Sequence, residues 1–494
     1  MKRLHFALKG LLVTFGICTL LACGNQEEKG SLHDNPPVAS RLSEVKSLDG
    51  QYISWKEHLV DGEEISGVPL SGSDGITMGD LDKDGYPDLV SVHESDVEYD
   101  GVADGYIRLA FGSGDPDQWE LVTLAAGSEA GAAEDTDIAD FNGDGWPDII
   151  AACELEHIIY FQNPGENIRA GTWERVIPPI TANRGSFIRV FSADFNQDGK
   201  LEIIAPNKGN QSASEAAKSS NPISWFEITG DPLDGDTWIE HELNRVVIPE
   251  NSRPVDLDGD GDLDILGASR GEGRIMWFEN LGSNPISFKE HAINAFEGDT
   301  PYPITGVNVD FHDFNKDGRL DIVVYHSPEK RKFGWIEQPD DFDKPWILHP
   351  IGNTFPDMLI GVELADINSD GNPDVMIGTY SGGPRDKDGE DLTVNDNMGR
   401  IVWFEHPGDP KGQWVRHDIS RRLRGMFDQF VPIDLDKDGD IDFASTRGNS
   451  YPYDGVFWLE QVRSELPMKR FTPAREKESR EMGLPTIGLD ESEY

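Results

Sequence analysis

Between about residues 50 and 460 the chain repeats one alternation, short apolar stretches broken by polar, glycine-bearing turns. Runs such as those opening with Leu89-Val90 and Ile149-Ile150 are too short for helices and read as strands. Two aromatic patterns recur around them. One strand has the form W-x-x-H-x-I/L/V, at Trp55/His58, Trp238/His241, Trp346/His349 and Trp414/His417, with looser copies at Trp119, Trp173 and Phe288/His291. Another carries Trp225-Phe226-Glu227, Trp277-Phe278-Glu279 or Trp403-Phe404-Glu405, with variants at Tyr160, Trp335 and Trp458. These histidines hold the same slot in successive copies, which predicts packing and hydrogen bonding.

The turns are themselves one nine-residue motif written seven times. Its oxygen-bearing positions 1, 3, 5 and 9 are Asp80, Asp82, Asp84 and Asp88, then Asp140, Asn142, Asp144 and Asp148. The third and fourth copies place Asp194, Asn196, Asp198 and Glu202, then Asp256, Asp258, Asp260 and Asp264. The last three place Asp313, Asn315, Asp317 and Asp321; Asp366, Asn368, Asp370 and Asp374; and Asp434, Asp436, Asp438 and Asp442. Glycine at position 6 permits the sharp turn that brings such oxygens together around a hard cation. An EF-hand would put a glutamate at position 12 between two helices. Here position 12 is Ser91 in the first copy and Ala151 in the second. The expectation is a β-hairpin turn binding calcium, with up to seven structural Ca2+ ions.

The first aspartates lie 60, 54, 62, 57, 53 and 68 residues apart, room for four short strands per repeat. The predicted fold is therefore all-β, a seven-bladed β-propeller over residues 47–461. The first W-x-x-H strand has no repeat before it, and the last repeat stops after Trp458 without one. An N-terminal strand near Tyr52–Leu59 is expected to complete the last blade.

The ends of the chain predict its address. Lys2, Arg3 and Lys9 precede an apolar run over Leu11–Leu21, and Leu20-Leu21-Ala22-Cys23 ends like a lipobox. Residues 1–22 read as a bacterial lipoprotein signal, or else an ordinary secretory one, with Cys23 carrying acyl chains that anchor the protein to a membrane. Asn25-Gln26-Glu27-Glu28 resembles an acidic sorting signal of surface-exported lipoproteins, so the outer membrane or cell surface is the expected location. Residues 23–46 read as a flexible tether and 462–494 as a charged tail, disordered or lying over the propeller. Beyond Cys18 and Cys23 only Cys153 remains, so no intrachain disulfide is expected.

Net charge is −48, from 91 acidic and 43 basic residues, which argues against nucleic acid as a partner. The chain is expected to act as a monomer. The motif accounts for 24 of the carboxylates. Without metal they repel one another, so calcium should be required for folding.

Function is expected at the end opposite the turns, where repeats disagree. Five residues past motif position 9 stand His93, Cys153, Asn207, Ser269, His326, Thr379 and Arg447, and one further come Glu94, Glu154, Lys208, Arg270, Ser327, Tyr380 and Gly448. Five before the first aspartate stand Gly75, Asp135, Arg189, Asn251, Asn308, Gly361 and Gln429. Arg189, Arg270 and Arg447, with Arg253, Lys208 and the loop residues Arg184, Arg385, Arg421, Arg422 and Arg424, predict a cationic mouth suited to carboxylate or sulfate. Tyr302, Tyr325, Tyr380 and Tyr451 add stacking surfaces and proton donors.

The D-x-D-x-D-G-x-x-D turns and WFE-type strands resemble the FG-GAP/VCBS superfamily of calcium-bound propellers over residues 51–461. The pairing of W-x-x-H and WFE strands is similar to the propeller domain of aldos-2-ulose dehydratase, whose cupin-like domain is missing here. Seven-bladed ulvan lyases share the architecture, and integrin α-chain propellers share the loop. Both enzyme resemblances imply β-elimination on an acidic carbohydrate, with water or a glycan as leaving group and dehydration slightly favoured. His93 and His326 are the expected acid and base, assisted by Tyr325 or Tyr380, with Arg189, Arg270, Arg447, Lys208 and Arg253 holding the substrate. The competing expectation is a non-catalytic glycan-binding lipoprotein, and adhesion is a third.

Overall fold

The computed structural model describes residues 35–95, 101–282, 285–326, 331–342 and 344–486. The expected signal segment, Cys23 and the sorting motif lie outside the described residues, as does Ser327. Among the described residues no helix is long and apolar enough to cross a membrane.

Seven small antiparallel sheets follow one another along the chain and form a seven-bladed β-propeller. Blade 1 is typical, with strands Ser73–Gly79, Asp88–His93, Tyr106–Phe111 and Glu120–Ala126 in consecutive order. The second strand of blades 1, 2, 4, 5 and 7 is buried at every position, because neighbouring blades cover both its faces. Outer strands such as Phe288–Ile293 have one solvated side. Seven hydrophobic clusters, one between each pair of consecutive blades, hold the ring together. The cluster of Val60, Val456 and Trp458 with Ile76 and Leu89 joins the last blade to the first.

Closure uses the N-terminal strand, as its unpaired pattern predicts. Tyr52–Gly62 pairs antiparallel with Gly455–Ser464, from Tyr52 opposite Ser464 to Gly62 opposite Gly455. That pairing sets His58 opposite Trp458 and gives the last blade the element its own repeat lacks.

The two aromatic patterns are halves of one device. Trp225 lies opposite His241, Trp277 opposite His291, Trp335 opposite His349 and Trp403 opposite His417. The rings face each other at centroid distances of 4.0 to 4.5 Å. The glutamate two residues after each tryptophan shares a hydrogen bond with the histidine, at 2.7 Å for His291–Glu279 and 2.8 Å for His417–Glu405. These histidines are scaffold.

The segments expected as tether and tail are folded against the propeller over their described parts. Val38 and Ala39 are buried, and Val38 donates its amide to the Met482 carbonyl at 2.9 Å. The last blade's third strand runs on to Ser464, and Phe471–Thr472 then adds to the closing strand, Phe471 opposite Trp55. Charge explains why a polar tail settles. Glu478 meets Arg447 at 2.7 Å, Arg422 at 3.7 Å and Arg475 at 3.8 Å, while Glu481 lies 3.6 Å from Arg422.

Candidate functional site

The seven motif turns cap the first strand pair of each blade. Position 6 must be glycine because its φ lies between +84° and +97°, where a side chain is strained. The carboxylate at position 1 accepts the amide of that glycine, at 3.1 Å for Asp80–Gly85 and 2.8 Å for Asp313–Gly318. The carboxylate at position 9 starts the second strand, is buried, and accepts the amide of position 2 and, where it is an aspartate, a second amide. For Asp88 these are Leu81 at 2.8 Å and Gly112 at 2.9 Å. Burial raises the pKa of Asp88, Asp264 and Asp321 to about 7 and of Asp374 and Asp442 to about 8. In the three copies with aspartate at position 3, carboxylate oxygens of positions 1, 3 and 9 converge within 4.8 Å. The other four offer an asparagine there. An all-oxygen donor set of this kind suits a hard divalent cation.

At the other end of the blades a cavity of about 310 Å³ opens on the propeller axis. Two rings of side chains build it, and both are readable from the repeat. Six residues before the first aspartate stand Asp74, Glu134, Ile188, Glu250, Val307, Ile360 and Asp428, and all seven line the cavity. Six residues past position 9, Glu94, Glu154, Lys208, Arg270 and Tyr380 line it too. Side chains alternate along a strand, so the positions one residue nearer the turn point elsewhere, save that the long Arg189 side chain reaches both this cavity and the next.

That alternation removes the two expected catalytic histidines. His93 is fully buried, with its ring nitrogens 2.6 Å from Ser73 Oγ and 3.0 Å from Ser91 Oγ, and does not line the cavity. Burial, helped by the Arg108 charge, pushes its pKa down to about 3. His326 is also buried and outside the lining, edge-on to Tyr302 at 5.3 Å. Burial and the Lys332 charge lower it to about 4. Both rings are neutral at pH 7, and neither reaches the mouth.

The cationic mouth is likewise redistributed. Arg447, Arg421 and Arg422 are buried in ion pairs, Arg421 with Asp357 at 2.8 Å and Arg422 with Glu57 at 2.9 Å. Arg424 meets Asp388 at 2.9 Å and Arg184 meets Glu240 at 2.5 Å. Arg189 lines the cavity but is tied to Asp428 at 2.7 Å, and its burial is outweighed by Asp428, Asp135 and Glu134 together, which keep the guanidinium charged. Lys208 lines it in an ion pair with Glu154. Arg270 is the cation of the expected set that is half exposed at the mouth, 3.7 Å from Glu250, and Lys332 joins it. Tyr325 lines the cavity with its hydroxyl given to the Ile360 carbonyl, and burial raises its pKa far above the usual phenol value. Tyr380 is half-buried, and its hydroxyl accepts from Arg385 at 2.8 Å and donates to the Gly382 carbonyl at 3.2 Å.

The ring five residues before the first aspartate forms a belt across the channel. Gln429 donates to Asp135 at 2.9 Å, Asp135 accepts the Val190 amide at 3.0 Å, and Asn308 bridges Asp428 and the Ile360 carbonyl at 3.0 Å each. Beyond it lies a second cavity of about 250 Å³ on the turn side, lined by Arg253, Asp135, Asn251 and Glu363. Arg253 is therefore not a mouth residue.

Sequence reasoning gave no role to the carboxylates. Asp74, Glu94 and Glu134 bring oxygens within 4.8 Å of one another at the junction of blades 1 and 2. Burial, then mutual repulsion, raises all three above the carboxylate range, Glu134 to about 8. The six-residue offset from the motif was the signal that finds them.

Residues 80–151, 140–205 and 256–324 match the FG-GAP-like repeat. A 218-residue stretch is 27% identical to the T-cell immunomodulatory protein homolog of Plasmodium falciparum (isolate 3D7), covering 40% of this chain and 30% of that protein. The chain thus spans less than a third of that relative's length. Repeat match and ring of sheets together make this chain a seven-bladed β-propeller carrying FG-GAP-like repeats.

Proposed function

We propose that the mouth binds an acidic, uronate-containing oligosaccharide, sulfated or not, and breaks a carbon–oxygen bond in it by β-elimination. The observation that supports this most is the meeting of Arg270, Lys332 and Lys208 with the Tyr380 hydroxyl in one cavity. Elimination takes the proton α to a carboxylate and expels a β-oxygen. Cations beside that carboxylate stabilise the enolate-like charge of the transition state. Arg270 and Lys332 fill this role. Tyr380 is the proton carrier in place of the buried histidines. When proton and leaving oxygen share a face, one hydroxyl can hand its own proton to the leaving oxygen as it takes the α-proton, and so ends as the hydroxyl it began as. The strand likeness to aldos-2-ulose dehydratase inclines the reading to loss of water over chain cleavage. In the same reading the turns bind Ca2+ as a folding requirement, and lipidation at Cys23 holds the propeller at the bacterial surface.

The test is a panel of uronic-acid oligosaccharides, followed by absorbance of the unsaturated product and by its mass. A dehydratase product loses one water and keeps its length; a shortened chain with the same chromophore selects a polysaccharide lyase. Tyr380→Phe should lower turnover by about a hundredfold or more, the scale for a lost general acid or base. Arg270→Ala should weaken binding and turnover together. His93→Ala should cost stability but not turnover per folded molecule. The burial of both histidines favours one second reading, a glycan-binding protein without catalysis. Binding of acidic glycan with no unsaturated product selects it.

A further inference from the structure

We infer that the mouth carries its own divalent-cation site, formed by Asp74, Glu94 and Glu134 and separate from the seven turns. Asp74 comes from the first strand of blade 1, Glu94 follows that blade's second strand, and Glu134 comes from the first strand of blade 2. Their oxygens lie within 4.8 Å of one another on the wall of the cavity.

Proximity alone would not make a site. The second observation is Asp74 itself: it is 1% exposed, it lines the cavity, and neither carboxylate oxygen has a hydrogen-bond partner. Buried carboxylates in proteins are almost always paired or bound to metal. The turn carboxylates obey that rule through backbone amides; Asp74 has none.

Charge sets the valence. The nearby cations are largely committed. Lys208 sits on Glu154, and Arg189 sits on Asp428. Arg385 faces Asp74 and Glu94 while donating to Tyr380. A bound ion displaces the protons that burial otherwise keeps on these groups, and three ionised carboxylates against one guanidinium leave two negative charges, which one divalent cation balances. The lining holds neither histidine nor cysteine, so an oxygen-seeking ion of the Ca2+, Mg2+ or Mn2+ class is expected rather than Zn2+. Among the described residues no other such carboxylate group lies outside the turns: blades 3, 5 and 6 carry Ile188, Val307 and Ile360 at the position of Asp74, while Glu250 and Asp428 in blades 4 and 7 stand beside Arg270 and Arg189.

An ion there faces open cavity and keeps coordination positions for a ligand oxygen. It would turn the acidic half of the mouth into a second anchor for an anionic group, opposite Arg270. The site does not depend on the elimination chemistry, since a binding protein would use it equally.

Calcium-saturated full-length protein is to be crystallised, exposed to Mn2+ and measured for anomalous scattering. A peak between Asp74, Glu94 and Glu134 is expected, and a mouth without one overturns the inference. The double variant Asp74→Asn/Glu94→Gln, by native mass spectrometry in calcium, should bind one ion fewer per chain. Equal ion counts would overturn it. So would a variant that melts higher than the parent in calcium and in chelator alike, because that marks repelling carboxylates held together without an ion. Should the variant fail to fold, the anomalous map of the parent decides alone. Loss of the peak and loss of lyase activity are separate readouts, so either reading can fail without the other.

Discussion

Each blade of the first pair carries clustered carboxylates at both ends, and the two ends treat them differently. At the turns, Asp80 and Asp88 are held by backbone amides, and those of motif positions 2 and 6 do the same in every copy. At the mouth, Asp74 is about as deeply buried as Asp88, yet among the described residues it has no hydrogen-bond donor. Repetition therefore gives a cluster its local support, and a cluster written once must find support elsewhere. The belt between the ends qualifies that lesson. Asp135, Arg189, Asn308 and Gln429 also differ from blade to blade, yet they bond to one another and close the channel. Disagreement between repeats marks the axis, and only side-chain direction decides which of those residues face a ligand.

The largest expected effect separates the ends by removing cations. At a hundredfold excess over its dissociation constant, each bound ion adds about 2.7 kcal/mol of stability. Seven such sites together exceed the roughly 5–15 kcal/mol that a domain possesses. Strong chelator should therefore unfold the propeller or drop its melting temperature sharply, with calcium restoring it. Unchanged melting would leave the turns with no claim to bind metal.

Acidity sharpens the same contrast in chelator. Position-9 carboxylates have folded pKa values raised to about 7 for Asp88 and about 8 for Asp374 and Asp442, against about 4 when unfolded. The folded state then holds more protons between about pH 4 and pH 8. Its stability should be full at the acid end of that window and fall as pH rises through it. Melting curves in chelator at pH 5 and pH 8 check this, and a rise with pH would break it.

A third use of carboxylates lies under the tail. Glu478 is the close partner of Arg447, with Arg422 and Arg475 behind it, and all are largely buried. Glu478→Gln should cost about 3–5 kcal/mol in chemical denaturation, because it strands buried guanidinium groups. An unchanged midpoint would mean that the tail merely rests on the blade.

The smallest effect belongs to the repeated stacks. His417→Ala removes one ring from Trp403 and one hydrogen bond from Glu405. A loss of about 1 kcal/mol is expected, nearly additive with the same change at His291, whose stack lies in another blade.

Period and motif made the fold legible, because each blade must bury the same faces against its neighbours. Even the closing strand could be placed by asking which repeat lacked its W-x-x-H element. The site was legible only to within one residue. Counting five past position 9 lands on His93 and Arg447, which point between blades; counting six lands on Glu94, Lys208, Arg270 and Tyr380, which face the axis. A one-residue error inverts every side chain in a strand. The fate of Arg421, Arg422 and Arg447 could not be read locally, since their partners come from Asp357, Glu57 and the tail.

The clasp between the chain's two ends has a consequence for synthesis. His58 meets Glu460 across 402 positions of sequence, so the ring stays open until the strand carrying Glu460 has been made. Until then the closing strand, made first, has nothing to join and keeps an unpaired edge. Such edges are templates for wrong partners. A nascent propeller is thus exposed to aggregation until its final repeat emerges, and a helper that shields that edge would raise the yield of closed rings.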